Sequence, residues 1–415
     1  MQRVCLGEGI KSAAFKRIMH WSSEDAKFVM RLDTPQRDAI LKEDTRINSV
    51  AGEDEPIRIR ILKSSMSDRM KKTALAKLKA IDGGGSSAAK VSEWVNGLLN
   101  LPIGVYRNLP VTNTDSSEAI GVFLKHMRKQ MDEAVYGHTT AKDHVMRLIA
   151  QWISNPESKG LVLGVHGPPG VGKTELCRAI CRCLALPFAF LPLGGISDGS
   201  YLDGHSYTYE GAMWGKVADM LMKCGCSNPV LFFDELDKIS ETRHGEEVVN
   251  LLIHMTDATQ NTQFADKFFV DVDIDLSRCL MVFSYNNESL VSPVLLDRMT
   301  RISAKGYGDA DKVIIAQDYL MPAILKEFGF APDAIRIPKD VIREITRNEQ
   351  LQYESGVRGL KRAMHDIVSH LNYQRLVSED PPKFPIEVTS EHVAKYTFFD
   401  KKNEPMPLSV QAMYM

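Results

Sequence analysis

The sequence predicts an α/β fold built on a mostly parallel sheet, followed by a small helical domain and preceded by a mainly helical region. Three observations carry this expectation. Short apolar runs at 161–165, 188–191, 230–233 and 280–283 alternate with helical stretches, as in a sheet whose strands are buried on both faces. After Gly306 such runs nearly vanish, and helices are expected at 310–328, 339–347 and 356–377. In the last of these, Val357, Leu360, Met364, Ile367, Val368 and Leu371 fall on one stripe, the mark of a helix packed on a core. Third, the first hundred residues read as helices with breaks.

Along that first region, Ile57, Ile59 and Ile61 alternate with Arg58 and Arg60, a period of two that predicts a short strand. Met66, Met70, Leu75 and Leu78 fit a helix that the Gly-Gly-Gly-Ser-Ser run at 83–87 ends as a flexible joint. Another helix follows to 99. Leu101-Pro102 and Asn108-Leu109-Pro110 mark a linker, and Ser116 or Ser117 can cap the helix running toward Val135. The domains are therefore expected at 1–105, 106–305 and 306–400, with a tail at 401–415.

At 415 residues and 44% hydrophobic content, the chain has material for two or three cored domains. A net charge of -2 gives no global electrostatic case for a nucleic-acid binder. The first hundred residues hold 18 Lys and Arg against 13 Asp and Glu, a mild excess that reads as a solvated helical face. Seven cysteines without a regular framework fit a reducing compartment, with the cytoplasm as the default. Cys177, Cys181 and Cys183 share one predicted helix with Leu176, Ile180 and Leu184, where cysteine acts as a small buried hydrophobe rather than as a zinc ligand. No run of about 18 apolar residues and no secretory leader is present, so a soluble protein without membrane contact is expected.

Gly167-Pro168-Pro169-Gly170-Val171-Gly172-Lys173-Thr174 matches G-x-x-x-x-G-K-[ST], placed after an apolar strand and before an amphipathic helix. Glycines let successive backbone N–H groups curl toward phosphates. Lys173 then reaches the β- and γ-oxygens, and Thr174 holds Mg²⁺. Glu175, next in the first turn, is counted with the nucleotide-binding set. The run Val230-Leu231-Phe232-Phe233-Asp234-Glu235 delivers two carboxylates at the C-terminal end of a buried strand, the ligand edge of such a sheet. Asp234 is expected in the Mg²⁺ shell. Glu235 is expected to polarise the attacking water, a pairing that favours active hydrolysis of ATP.

With these residues in place, the segment 56–396 resembles the ATPase module of the Lon family of AAA+ P-loop proteins. The resemblance rests on Leu193-Gly194-Gly195-Ile196-Ser197-Asp198, Gly204-His205, Thr208-Tyr209-Glu210-Gly211-Ala212 and Gly215-Lys216. It continues through Asp234-Glu235-Leu236-Asp237-Lys238-Ile239, Leu295-Leu296-Asp297-Arg298-Met299 and Gly356-Val357-Arg358-Gly359-Leu360. The resemblance implies that the last domain is a lid and that Tyr136-Gly137 forms the adenine-side turn. It also implies that Asn286 is the first sensor, with Asn287 an open alternative, that Arg298 is an arginine finger acting on a neighbouring subunit's site, and that Arg358 is the second sensor in cis. A planar, permanently charged guanidinium suits phosphate oxygens in both places.

A finger acting in trans implies a homo-oligomeric ring, a hexamer as in similar proteins. Tyr209 is implied to face the pore and grip a polypeptide, on a loop reaching to a helix from Ala212, with 241–247 as a second pore loop. Glu210 departs from the apolar residue usual after that aromatic. Lon proteins continue into a peptidase domain with a Ser-Lys dyad, which this sequence is not expected to supply. The resulting expectation is an ATP-driven protein remodeller without its own peptidase. The alternative is a nucleotide-gated assembly scaffold with little translocation.

Overall fold

The computed structural model describes residues 23–51, 55–82, 88–156, 158, 161–207, 211–240, 242–378 and 382–397. Two compact units divide at Leu99 and Asn100, ahead of the expected boundary at 105. The cause is local: the Pro102 carbonyl accepts from Ser227 Oγ, the Val105 carbonyl from Ser227 N at 2.7 Å, and Arg107 N donates to Asn228 Oδ1 at 2.8 Å. The Pro-containing stretch is thus pinned to the second unit.

The first unit is helical where described, with helices Ser23–Arg31, Thr34–Ala51, Ile57–Lys63, Asp68–Asp82 and Ala88–Asn100. The strand expected at 57–61 is a helix behind Pro56. Ile57 and Ile61 are spaced for either a strand or a helix face, so only Ile59 discriminates, and it is exposed while Ile61 is buried. Lys77 Nζ lies 4.4 Å from the ring centroid of the buried Trp94. The run at 83–87 lies outside the described residues.

The second unit is built on a five-stranded parallel sheet. Its strands are β1 (Val162–His166), β2 (Phe188–Pro192), β3 (Val230–Asp234), β6 (Leu280–Tyr285) and β7 (Thr300–Ser303), in the order β2-β3-β6-β1-β7. Between them, β4 (Phe264–Ala265) and β5 (Asp273–Ile274) form a separate antiparallel pair. Four strands match the expected apolar runs. β7 was not expected, because on this edge strand only Ile302 is buried while Thr300, Arg301 and Ser303 face outward.

Both faces of the sheet are covered. Val230 and Phe232 join a core with Leu163, Val165, Leu280 and Val282, packed under helices Ser117–Ala134, Thr139–Ser154 and Lys173–Leu184. On the next positions Phe233 and Phe283, both fully buried, stack at 4.8 Å. Ser116 caps the helix that follows it, accepting from Ala119 N at 3.2 Å. Cys177, Cys181 and Cys183 are buried in one helix, and burial raises their thiol pKa values.

The lid-like region has its own core, formed by Leu360, Met364, Ile367, Val368 and Leu371 of helix Arg358–Val377 against Ile342 and Ile345 of helix Lys339–Arg347. The helix expected at 310–328 divides into Asp309–Ile315, a wider five-residue turn at Ala316–Leu320 and Met321–Glu327. Pro322 has no N–H for the regular ladder, which accounts for the widening ahead of it. Two short strands, β8 (Ile335–Arg336) and β9 (Ile386–Glu387), pair in parallel. Among the described residues no helix is long and apolar enough to cross a membrane.

Replacing Phe233 by Ala empties the stacked pair beside β6. The cost is about 3–5 kcal/mol, read as a fall of roughly 10 °C in the thermal midpoint of the second unit. An unchanged midpoint would contradict this packing.

Candidate nucleotide site

Because all five strands run parallel, their C-terminal ends share one edge, and β6 lies between β1 and β3. Three segments therefore meet there: the loop after β1, the acidic pair after β3 and the asparagines after β6. The loop 167–172 turns into helix Lys173–Leu184 through Gly170 and Gly172, whose φ angles of 78° and 89° favour glycine. At Gly167 a Cβ would stand 2.0 Å from the Ala304 carbonyl oxygen, so the loop can lie this close to the end of β7 only without a side chain.

Lys173 Nζ donates to Gly167 O at 2.6 Å, Pro168 O at 3.1 Å and Asn286 Oδ1 at 2.7 Å. Burial holds the ammonium below its ordinary pKa, against the opposing pull of Asp234 and Asp237, and Arg358 adds to the lowering. Asn287 faces elsewhere: its Oδ1 accepts from Ser289 N at 3.1 Å and Ser289 Oγ at 2.8 Å. Of the two asparagines, Asn286 is the one bonded to Lys173.

Asp234 ends β3, and its Oδ1 accepts from Ser284 Oγ on β6 and from Glu235 N at 3.1 Å. Glu235 takes a left-handed φ of 60° at the entrance to the short turn Leu236–Lys238, a costly conformation for a non-glycine residue. Its carboxylate lies against Gly194, where a Cβ would come within 2.3 Å of Oε2. Leu193 N donates to Asp234 O at 2.8 Å, holding that glycine turn over the acid pair. Asp237 is buried and accepts from Asn287 N at 3.0 Å, tying the acidic turn to the end of β6.

On the other side of the loop, Tyr136, Gly137 and His138 form a turn in which Gly137 and His138 both have positive φ. Tyr307, which sequence reasoning missed, joins this turn to the loop. Its hydroxyl lies 2.8 Å from Val171 O, 2.9 Å from His138 Nε2 and 3.3 Å from Tyr136 O. His138 Nε2 is itself 3.0 Å from Val171 O, and burial holds the imidazole below its ordinary pKa. Tyr136 Oη donates to Asp311 Oδ1 at 3.3 Å. A cavity of ≈ 570 Å³ opens beside the turn, lined by Tyr136, Gly137, His138 and Tyr307 among others. The available signal was an aromatic between Gly306 and Gly308 at the start of the lid.

The lid touches the loop through its backbone. Val357 N donates to Gly170 O at 3.1 Å, and a Cβ at Gly356 would stand 2.2 Å from Pro169 O. The Glu354 carboxylate accepts from Gly359 N at 3.0 Å and 2.9 Å, fixing the first turn of helix Arg358–Val377. Arg358 is thereby held beside Gly170, with its Cβ 3.2 Å from the position a Cβ would take there.

Arg298 is not brought to this cluster. Its Nη1 pairs with Asp257 Oδ2 at 2.5 Å and donates to Ile253 O at 3.4 Å. Tyr209 lies outside the described residues, and the helix expected from Ala212 begins at Lys216. The expected loop at 241–247 is largely helical, since helix Arg243–Thr256 starts behind a Thr242 cap that accepts from Gly245 N.

The residues present fit a nucleoside triphosphate with Mg²⁺. A loop with three glycines opens a helix, one ammonium sits at its mouth, and a hydroxyl on Thr174 and a carboxylate on Asp234 supply the oxygen donors that Mg²⁺ takes.

Comparison with known proteins agrees. Residues 163–307 match the AAA family, described as the ATPase family associated with various cellular activities. A Lon protease homolog of Acanthamoeba polyphaga mimivirus is 35% identical over 345 residues, covering 81% of this chain and 33% of that protein. Lon protease 2 of Borreliella burgdorferi is 33% identical over 84% of this chain and 42% of its own length. The Lon protease of Acinetobacter baumannii is 30% identical over 86% and 42%. The matches span about a third to two fifths of these relatives. The parallel sheet, the glycine-rich loop and acidic pair at its carboxyl edge and the shared sequence together make this chain a carrier of a Lon-type AAA+ ATPase module.

Proposed function

We propose that the chain hydrolyses Mg²⁺-bound ATP within a homo-oligomeric ring of six subunits and uses the turnover to remodel polypeptides. The observation that carries the reading is the hydrogen bond from Lys173 to Asn286, which joins the phosphate loop to the strand beside the acidic pair. In this reading, residues 167–172 and Lys173 hold the phosphates, Glu175 adds to the same first turn, and Thr174 and Asp234 hold the metal. Glu235 takes up proton density from the attacking water, Asn286 orients that water or the terminal phosphate, and Arg358 neutralises charge from the lid. Tyr136 and Gly137 line the base. Mg²⁺ would supply electrostatic stabilisation of the phosphate oxygens.

Arg298 supports the ring, because it is held on helix Arg243–Thr256 and away from Lys173 in its own subunit. Beside it runs a groove of ≈ 470 Å³ lined in part by Val249, Ile253, Leu290, Val294 and Leu295. Leu290 and Val294 are about half exposed there, and we assign the groove to a second copy of this chain. Polypeptide contact is assigned to Tyr209, on a segment whose ends are pinched together. His205 N donates to Met213 O at 3.0 Å, and the buried Asp266 carboxylate accepts from Gly215 N at 2.8 Å. Free buried thiols support a reducing interior such as the cytoplasm.

Glu235→Gln is expected to bind ATP with near wild-type affinity and lose at least about 100-fold in turnover. Wild-type turnover in that variant would remove Glu235 as the base. Gly194→Ala places a methyl against the end of the Glu235 side chain, so turnover should drop while the thermal midpoint barely moves; equal turnover would contradict the placement of that carboxylate. Tyr209→Ala should keep basal ATPase activity and lose stimulation by an unfolded polypeptide. ATP-dependent ring formation with no polypeptide stimulation in the parent chain would favour a nucleotide-gated scaffold instead.

A further inference from the structure

Asp257 stands at the C-terminal end of helix Arg243–Thr256, and both of its carboxylate oxygens are engaged. Oδ1 accepts from Thr259 N at 2.9 Å and Thr259 Oγ1 at 2.6 Å, while Oδ2 pairs with Arg298 Nη1 at 2.5 Å. The carboxylate is therefore braced from behind before it meets the arginine, and these bonds, the threonine's first, hold its pKa well below the usual range. Arg298 Nη1 also donates to Ile253 O at 3.4 Å, a carbonyl in the last turn of the same helix.

Both contacts use one nitrogen of the guanidinium. Its Nη2 and Nε have no hydrogen-bond partner among the described residues, and the side chain is 29% exposed. A guanidinium gripped at one corner keeps a fixed direction and still offers the N–H groups that match phosphate oxygens. A long, unheld arginine would instead lose rotamer freedom each time it engaged a neighbour.

We propose that Asp257, braced by Thr259, is the positioning residue for Arg298: it aims the guanidinium at the phosphates bound by the adjoining subunit. The inference rests on Arg298 acting in trans.

A subunit-mixing assay tests it and separates the two claims. Lys173→Ala subunits bind ATP weakly and are not expected to turn it over but carry Arg298, whereas Arg298→Ala subunits have an intact site and no finger. Mixed, they should recover turnover that neither shows alone. Adding Asp257→Ala to the Lys173→Ala partner should cut that recovery at least about ten-fold, with the KM for ATP unchanged because the reacting site is untouched. Adding Thr259→Val in its place should lower recovery less and gives a milder second probe, should Asp257→Ala disturb folding. Native mass spectrometry should find mixed rings of the same size in every case. Equal recovery with and without Asp257 and Thr259, in rings of equal size, would overturn the positioning role. No recovery in the first mixture would remove the trans reading of Arg298 itself, and the inference with it.

Discussion

The order of the sheet is the constraint on which the site depends. With β6 inserted between β1 and β3, and every strand parallel, the phosphate loop, Asn286 and the Asp234-Glu235 pair leave the same edge side by side. The Lys173–Asn286 and Ser284–Asp234 hydrogen bonds bind these three segments across strands. A different strand order would separate the ammonium from the carboxylates by a strand's width of about 5 Å for each displacement, too far for direct contact. This is the general logic by which open parallel sheets collect ligand sites at their carboxyl edge.

Rigidity at that edge comes from the layers beneath it. β1, β3 and β6 are buried nearly throughout, with Phe232 and Phe233 on opposite faces of one strand and each packed on neighbouring aromatics. On this base the protein holds polar groups at a cost: a partly buried ammonium with a lowered pKa and a glutamate in the left-handed region. The lid is joined by backbone, through Val357 to Gly170 and the close approach of Gly356 to Pro169. Lid and loop are thus in direct contact, so a movement of one must be felt at Arg358 and at the phosphate loop together.

Much of this was legible in the sequence because it is written in contiguous runs. Four strands announce themselves as apolar stretches, the glycine-rich loop has a fixed spacing, and the stripe from Leu360 to Leu371 has a helical period. What was missed depends on context. β7 buries a single residue, Ile302, so no periodicity marks it. Ile57 and Ile61 satisfy two periods at once, and the packing of Ile61 decides for the helix. Tyr307 acts through hydrogen bonds to residues far away in the chain, as does the Arg298–Asp257 pair across 41 positions of sequence. Such pairings are tertiary facts that no local spacing encodes.

The central claim, that the edge formed by β1, β6 and β3 is a nucleotide site organised around Lys173, is tested most directly by calorimetric titration of ATP with Mg²⁺ into the parent chain and into Asn286→Ala and Lys173→Ala. Loss of charge-assisted hydrogen bonds to phosphate, about 1.5–3 kcal/mol, should weaken binding by roughly 10- to 100-fold in Lys173→Ala and less in Asn286→Ala. Equal affinity in all three proteins would contradict it.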